Sequence, residues 1–158
     1  MFEISVIIPL YNVEQYIGRC LQSLVNQTFQ SFEVIIVNDA STDNSVAVIS
    51  EYIQHFKRCT VLTHEVNKGL MYARYTGYKN AKGRYYCFLD SDDFLPNDSL
   101  LQLYEAITKG CFDMVKGAFT IVDEHNKEKE MYVPTIISGN NGDSLITDIL
   151  RDNIMHNI

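Results

Sequence analysis

Positive charge is scarce in this 158-residue chain. Thirteen Lys and Arg stand against 20 Asp and Glu, for a formal net charge of −7. That deficit argues against a general binder of nucleic acid or anionic membranes. It does not exclude a phosphate ligand that arrives with a metal ion. No apolar stretch approaches the length of a membrane span, and no basic–apolar–small leader opens the chain. The four cysteines, Cys20, Cys59, Cys87 and Cys111, are scattered with no CxxC pair. They offer neither a disulfide framework nor a zinc site and read as reduced thiols, core or half-buried, in a cytoplasmic protein. His55, His64, His125 and His156 lack ligand spacing and read as surface or core residues. No repeat, low-complexity segment or linker divides the chain. With 46% hydrophobic residues, it has the size and the apolar content of one ordinary domain.

What is present alternates. "ISVIIP" is a continuously apolar, β-branched run, as expected of a strand buried on both faces. The segment after it turns helical, with Tyr16, Ile17, Cys20, Leu21, Leu24 and Val25 on one face, and Asn12 with Gln15 resembles a capping box. "FEVIIVND" is a second buried strand, and a helix follows with Val46, Ile49, Ile53 and Phe56 inward. "TVLTH" is a third strand. "NKGLMYARYTGYKNAKG" is a loop and a helix closed by Gly83, and "RYYCFLD" is a fourth strand. "PNDSLLQLYEAITKG" is a capped helix, "DMVKGAFTIV" a fifth strand, "KEKEMYV" its hairpin partner and "NGDSLITDILRDN" a last helix. Strand–helix repetition of this kind predicts an α/β fold with a doubly wound, mostly parallel sheet.

Such sheets bind ligands in the crevice outside the carboxyl ends of their strands. Those positions hold Pro9, Leu10, Tyr11 and Asn12, then Asn38 and Asp39, then His64 to Lys68, then Asp90, Ser91, Asp92 and Asp93. Ionised carboxylates about 5 Å apart at an effective dielectric near 20 repel by roughly 3 kcal/mol per pair. One Asp at a strand end is usually a turn or cap residue. Three within four residues need compensation, and Asn97 and Asp98 already stand where the next helix needs its cap. A hard divalent cation is the simplest compensation, because Mg²⁺ takes one or two carboxylates and completes its shell with phosphate oxygens and water. Taken singly, Asp39 reads as a turn residue, Tyr11 as packing and Arg74 as solvated. Taken together, they describe a nucleoside diphosphate site. Tyr11 supplies a ring to stack, Asp39 an acceptor for a base N–H, and Lys68 and Arg74 cations for a diphosphate.

Four blocks then carry a resemblance: "SVIIPLYNVEQYIGRCLQSLVNQT", "FEVIIVNDASTDNS", "NKGLMYARYTGYKNAKGRYYCFLDSDD" and "LPNDSLLQLYEAI". In order and spacing they resemble the N-terminal half of family 2 glycosyltransferases, which have the GT-A fold, Rossmann-like with helices on both faces of the sheet. The resemblance implies a metal-dependent, inverting transfer from a nucleotide-sugar donor, usually a UDP-sugar, with Mn²⁺ or Mg²⁺. It implies a glycan or lipid-linked acceptor and work in polysaccharide or cell-wall glycan synthesis, with peripheral membrane association an option for the full-length enzyme. On the family's motif, Asp39 falls on the carboxylate that reads the base, and Pro9 and Tyr11 on the loop that packs against it. Lys68 and Arg74 fall on basic positions near base and diphosphate. Asp90 and Asp92 form the DxD, with Asp90 toward ribose and metal shell, Asp92 the most direct metal ligand and Asp93 adjacent.

Two departures from the family pattern carry expectations of their own. Ala40 stands where a Gly usually follows the base-reading Asp, which argues against a positive-φ turn at that point. The family's general base belongs to a later acidic segment, expected beyond Ile158, and Asp123, Glu124 and Asp143 sit in turn and cap contexts instead. The chain therefore reads as a single donor-binding domain over residues 1–158 that stops before the acceptor segment. The alternative is a nucleotide-sugar-binding module without transfer activity.

Overall fold

The structure, a computed structural model, describes residues 2–110, 114–123 and 127–132. The chain divides into two compact units, Met1–Asp113 and Met114–Ile158.

The first unit holds four parallel strands: β1 (Ile4–Leu10), β2 (Phe32–Asn38), β3 (Cys59–Thr63) and β4 (Tyr85–Phe88). Their order across the sheet is β3-β2-β1-β4. The chain thus winds outward from β1 through β2 to β3, then crosses back to place β4 on the other side of β1. The reversal lies beside β1, which makes the carboxyl ends of β1 and β4 the switch point where sheets of this kind open a crevice.

Both central strands are buried along their whole length, as continuous apolar runs require. Alternate residues serve opposite layers. Val6, Ile8, Leu10, Val34 and Ile36 pack against α1 (Ile17–Val25), α2 (Ser45–Tyr52) and α4 (Ser99–Gly110) through Leu21, Leu24, Ile49 and Leu100. Ile7, Ile35 and Val37 pack under α3 (Leu70–Asn80), with Ala73 at the contact. Gly77 is the other small residue on that face; a Cβ there would lie 2.3 Å from Ile7 Cγ2. Helices therefore cover both faces, as expected of a doubly wound sheet.

The second unit contains β5 (Phe119–Val122) and β6 (Glu128–Tyr132), an antiparallel pair with an irregularity between Ile121 and Val122. The expected hairpin is present. The expected fifth strand is shorter than its apolar run, and among the described residues it pairs only with β6. Cys111, Glu124, His125, His156 and the expected last helix with Asp143 lie outside the described residues.

Several local expectations change. The capping box does not form: α1 has Tyr16 at its N-cap, with no side-chain cap bond. Asn12 instead adopts φ 51° and bonds to the loop after β2. Ala40 adopts φ 62°, so the turn after Asp39 is left-handed although its residue is alanine. Gly83 does not close α3, which ends at Asn80 with Ala81 extended. Its role is close approach, because a Cβ at Gly83 would meet the Ser5 backbone N at 2.6 Å. α2 stops at Tyr52 and tightens into a 3-10 turn over Ile53–His55, which rotates Ile53 outward. Val46 is also exposed, and Val48 and Tyr52 take the inward places beside Ile49 and Phe56.

One buried acid went unseen in the apolar reading of the second strand. Glu33 is 1% exposed. It accepts bonds from Ser5 Oγ at 2.7 Å and the Lys82 amide at 2.7 Å, and it pairs with Arg58 Nε at 3.0 Å.

Candidate functional site

Parallel alignment puts the sequence-selected residues on one rim. Leu10 pairs with Asn38 and Asn38 with Thr63, while Ile7 pairs with Phe88. The residues that follow each strand therefore emerge at the same edge, Tyr11 from β1, Asp39 from β2, His64 from β3 and Asp90 from β4. Pro9 is buried within β1, and Tyr11 beyond it is 47% exposed.

The loops after β1 and β2 are sewn together by polar groups. Asn12 N–H donates to Ser41 Oγ at 3.2 Å, and Asn12 Oδ1 accepts from Thr42 N–H at 2.8 Å. Val13 N–H donates to Ser45 Oγ at 3.0 Å, and Glu14 N–H to Asp43 Oδ2 at 3.0 Å. Asn44 N–H returns to Glu14 Oε2 at 2.8 Å. Short polar side chains that favour turns are here cross-linking two of them, and the result fixes the stretch that presents Tyr11.

Asp39 is nearly inaccessible, at 3% exposure. Its Oδ1 faces His64 Nδ1 at 2.6 Å and accepts from Lys68 N–H at 2.9 Å. Its Oδ2 accepts from Lys68 N–H at 3.0 Å and from Gly69 N–H at 2.7 Å. Burial pushes this carboxyl up, but the bonds from His64 and the two amides outweigh that and hold it below the usual carboxylate range. Gly69 begins α3 at φ 86° and ψ 161°, a backbone region that glycine alone occupies readily. The Lys68 side chain lies over the Tyr72 ring, 4.8 Å from its centroid.

Arg74, on α3, reaches the end of β4. Its Nη2 donates to Asp90 Oδ1 at 2.6 Å, and its guanidinium lies 5.7 Å from the centroid of the Phe88 ring. Its Nε is buried and has no hydrogen-bond partner among the described residues. Residues 90–93 form a tight turn, with Asp93 N–H on the Asp90 carbonyl at 3.0 Å. From α1, Arg19 donates to the Asp92 carbonyl at 3.2 Å, and Cys20 Sγ lies 3.7 Å from the Asp90 carbonyl. Asp92 and Asp93 are exposed. Partial desolvation and then the charges of Asp92 and Asp90 hold the Asp93 carboxyl above its ordinary range. Burial first, and the three neighbouring carboxylates after it, push the Cys20 thiol up to about 12, so it is a core thiol and not a nucleophile.

The structure thus brings Arg74 to Asp90 and ties Lys68 and Asp39 through the backbone. The turn offers hard oxygen donors only, which suits Mg²⁺ or Mn²⁺ and no thiophilic metal. Among the described residues no group of three potential ligands closes on one point. The oxygen donors of the turn are of the type that a cation completes with phosphate oxygens, and Arg74 Nε beside Asp90 is a donor left without a partner among the described residues. His64 is the residue that the sequence reading missed. Ligand spacing was the wrong signal for it; its position directly after a strand, on the same rim as Asp39, was the right one. Among the described residues, Cys20, Cys59 and Cys87 are free thiols, and no helix is long and apolar enough to cross a membrane.

Comparison with known proteins finds relatives of this chain. The model of "Glycosyl transferase family 2" matches residues 5–157. "Glycosyltransferase GlyA" of Streptococcus pneumoniae serotype 4 is 38% identical over 122 residues, which are 77% of this chain and 17% of that protein. The poly(ribitol-phosphate) beta-glucosyltransferase of Bacillus spizizenii is 36% identical over 136 residues, 84% of this chain and 22% of that one. The crystal structure of S. aureus TarS 1-349 in complex with UDP superposes with a TM-score of 0.65 at 34% identity, covering 68% of this chain and 32% of that one. The chain therefore spans less than a third of each of these proteins.

Proposed function

Since this chain belongs to glycosyl transferase family 2, with the α/β architecture of GT-A enzymes, we propose that it binds a nucleotide-sugar donor, a UDP-sugar, along the rim formed by the ends of β1, β2 and β4. The observation that carries this reading is the ion pair between Arg74 and Asp90 at the switch point, next to the exposed carboxylate of Asp92. That pair sets a guanidinium fork from α3 against a turn that carries two acids, a donor set for a diphosphate with its cation. Support also comes from the TarS complex, whose ligand is UDP.

In this reading Pro9 and Tyr11 form the wall at the base, with the Tyr11 ring free to stack on it. Asp39 organises the base end of the site. Lys68 and Arg74 face the diphosphate, Asp90 faces ribose and metal shell, and Asp92, with Asp93 beside it, holds Mn²⁺ or Mg²⁺. The bound cation would supply charge neutralisation for the diphosphate leaving group. An acceptor hydroxyl attacks the anomeric carbon with inversion, the bond to the diphosphate breaks, and a carboxylate acting as general base takes the hydroxyl proton. The work so proposed belongs to cell-wall or other polysaccharide synthesis, with a glycan or lipid-linked acceptor, a reading supported by likeness to a poly(ribitol-phosphate) beta-glucosyltransferase.

Thermal melting with UDP tests the reading. UDP with Mn²⁺ should raise the melting temperature, UDP alone should raise it less, and Asp92→Ala should abolish the metal-dependent part. A chain whose melting no nucleoside diphosphate shifts, with or without metal, does not bind such a donor. A hydrolysis or transfer assay on the same chain separates a transferase from a binding module.

A further inference from the structure

The Asp39 carboxylate has no spare capacity. An ionised carboxylate offers about four lone-pair sites, and His64, Lys68 N–H to both oxygens and Gly69 N–H fill them. The residue is also 97% shielded, since only 3% of it is exposed. A ligand N–H would have to evict one of these partners to reach it. His64 is equally committed. It is 8% exposed, and its second ring nitrogen, Nε2, lies 2.9 Å from Thr76 Oγ1 on α3. Its ring also meets Tyr72 edge-on at 5.4 Å. The imidazole thus spans from the end of β2 to the second turn of α3. Thr76 stands two residues beyond Arg74, the group that grips Asp90.

From this geometry we infer that His64 is a positioning residue for the donor site: it locks Asp39 and α3 together, and so sets the Lys68–Gly69 loop and the aim of Arg74. This inference rests on the donor-site reading above. It makes Asp39 the anchor of that loop. The two roles of Asp39 differ in sign when His64 is removed. If Asp39 reads the base directly, His64→Ala frees an acceptor on Oδ1 and leaves binding unchanged or tighter. If the pair positions the loop and α3, the same change weakens binding.

The experiment is calorimetric titration of the chain with UDP and Mn²⁺, together with amide hydrogen exchange at Lys68 and Gly69. His64→Ala should weaken UDP roughly ten- to a hundredfold, the range for a lost bond to a charged group, and the two amides should lose protection. His64→Asn, whose amide can still donate to Asp39, should recover most of both. Should His64→Ala fail to fold, Thr76→Val severs only the far end of the strut and should still weaken UDP several-fold. Wild-type binding with His64→Ala, or Thr76→Val in its place, as tight as wild type overturns the inference and leaves the donor site standing. A wild-type chain that binds neither UDP nor another nucleoside diphosphate overturns both.

Discussion

Arg74 and Asp90 meet at 2.6 Å between a helix on one face of the sheet and the end of an outer strand. Each keeps about a quarter of its side-chain surface open, at 24% and 26%. A partly exposed pair of this kind contributes at most about 1 kcal/mol to stability. Its value lies in what it presents, a fixed cation and a fixed anion at the switch point. Arg74→Ala should therefore leave the melting temperature of the unliganded chain within a few degrees of wild type while lowering UDP affinity at least tenfold. Arg74→Lys should recover little, because an ammonium cannot reproduce the fork. Calorimetry on both variants checks this.

Acid should loosen the site through Asp39. Its folded-state carboxyl titrates below its unfolded value of about 3.9. Stability from that difference is present above pH of about 4 and is lost as pH falls through the folded value. Asp39→Asn should flatten the acid limb of a stability-versus-pH curve. At neutral pH it should cost about 1–3 kcal/mol, because an amide NH₂ cannot accept from the amides of Lys68 and Gly69. Urea unfolding between pH 2 and pH 7 measures both effects.

Asp93 works in the opposite direction. Its carboxyl is held above the ordinary range, so its ionised form disfavours the folded state once pH exceeds the unfolded value of about 3.9. Asp93→Asn should raise the melting temperature of the metal-free chain at pH 7 and leave it unchanged below about pH 3. A fall at neutral pH would mean that Asp93 has a stabilising partner in the folded chain.

Ala40 stands at φ 62°, where an L side chain costs about 1 kcal/mol or more. Ala40→Gly should stabilise the chain by about 0.5–1 kcal/mol, the relief of strain less the added freedom of glycine in the unfolded state. Gly77 poses the reverse case. Gly77→Ala drives a methyl into Ile7 Cγ2 and should destabilise by about 1–3 kcal/mol. Denaturant midpoints for these variants are the measurement.

The strand–helix alternation was legible because β1 and β2 are apolar on both faces and α1 carries one apolar stripe. The rim was legible because a parallel sheet gathers the ends of its strands. Interlocking of the two switch loops was not, since Asn12, Ser41, Asp43 and Ser45 each look like local turn or cap formers until their partners some 30 residues away are known. Ala40 misled because the surrounding bonds hold a conformation that its own side chain disfavours. Glu33 hid inside an apolar run because its three partners come from β1, from the residue before β3 and from the turn after α3.

That buried acid has a consequence for how the strands find one another. Sliding β2 by a single residue along β1 would turn Glu33 through the sheet, away from Ser5, Arg58 and the Lys82 amide and into the leucines of α1. Stripping a buried charge of its partner costs about 3–5 kcal/mol, so misaligned pairings are heavily penalised once the helices close over them. Glu33 thus acts as a proofreader of strand alignment, at the edge of the sheet farthest from the candidate chemistry.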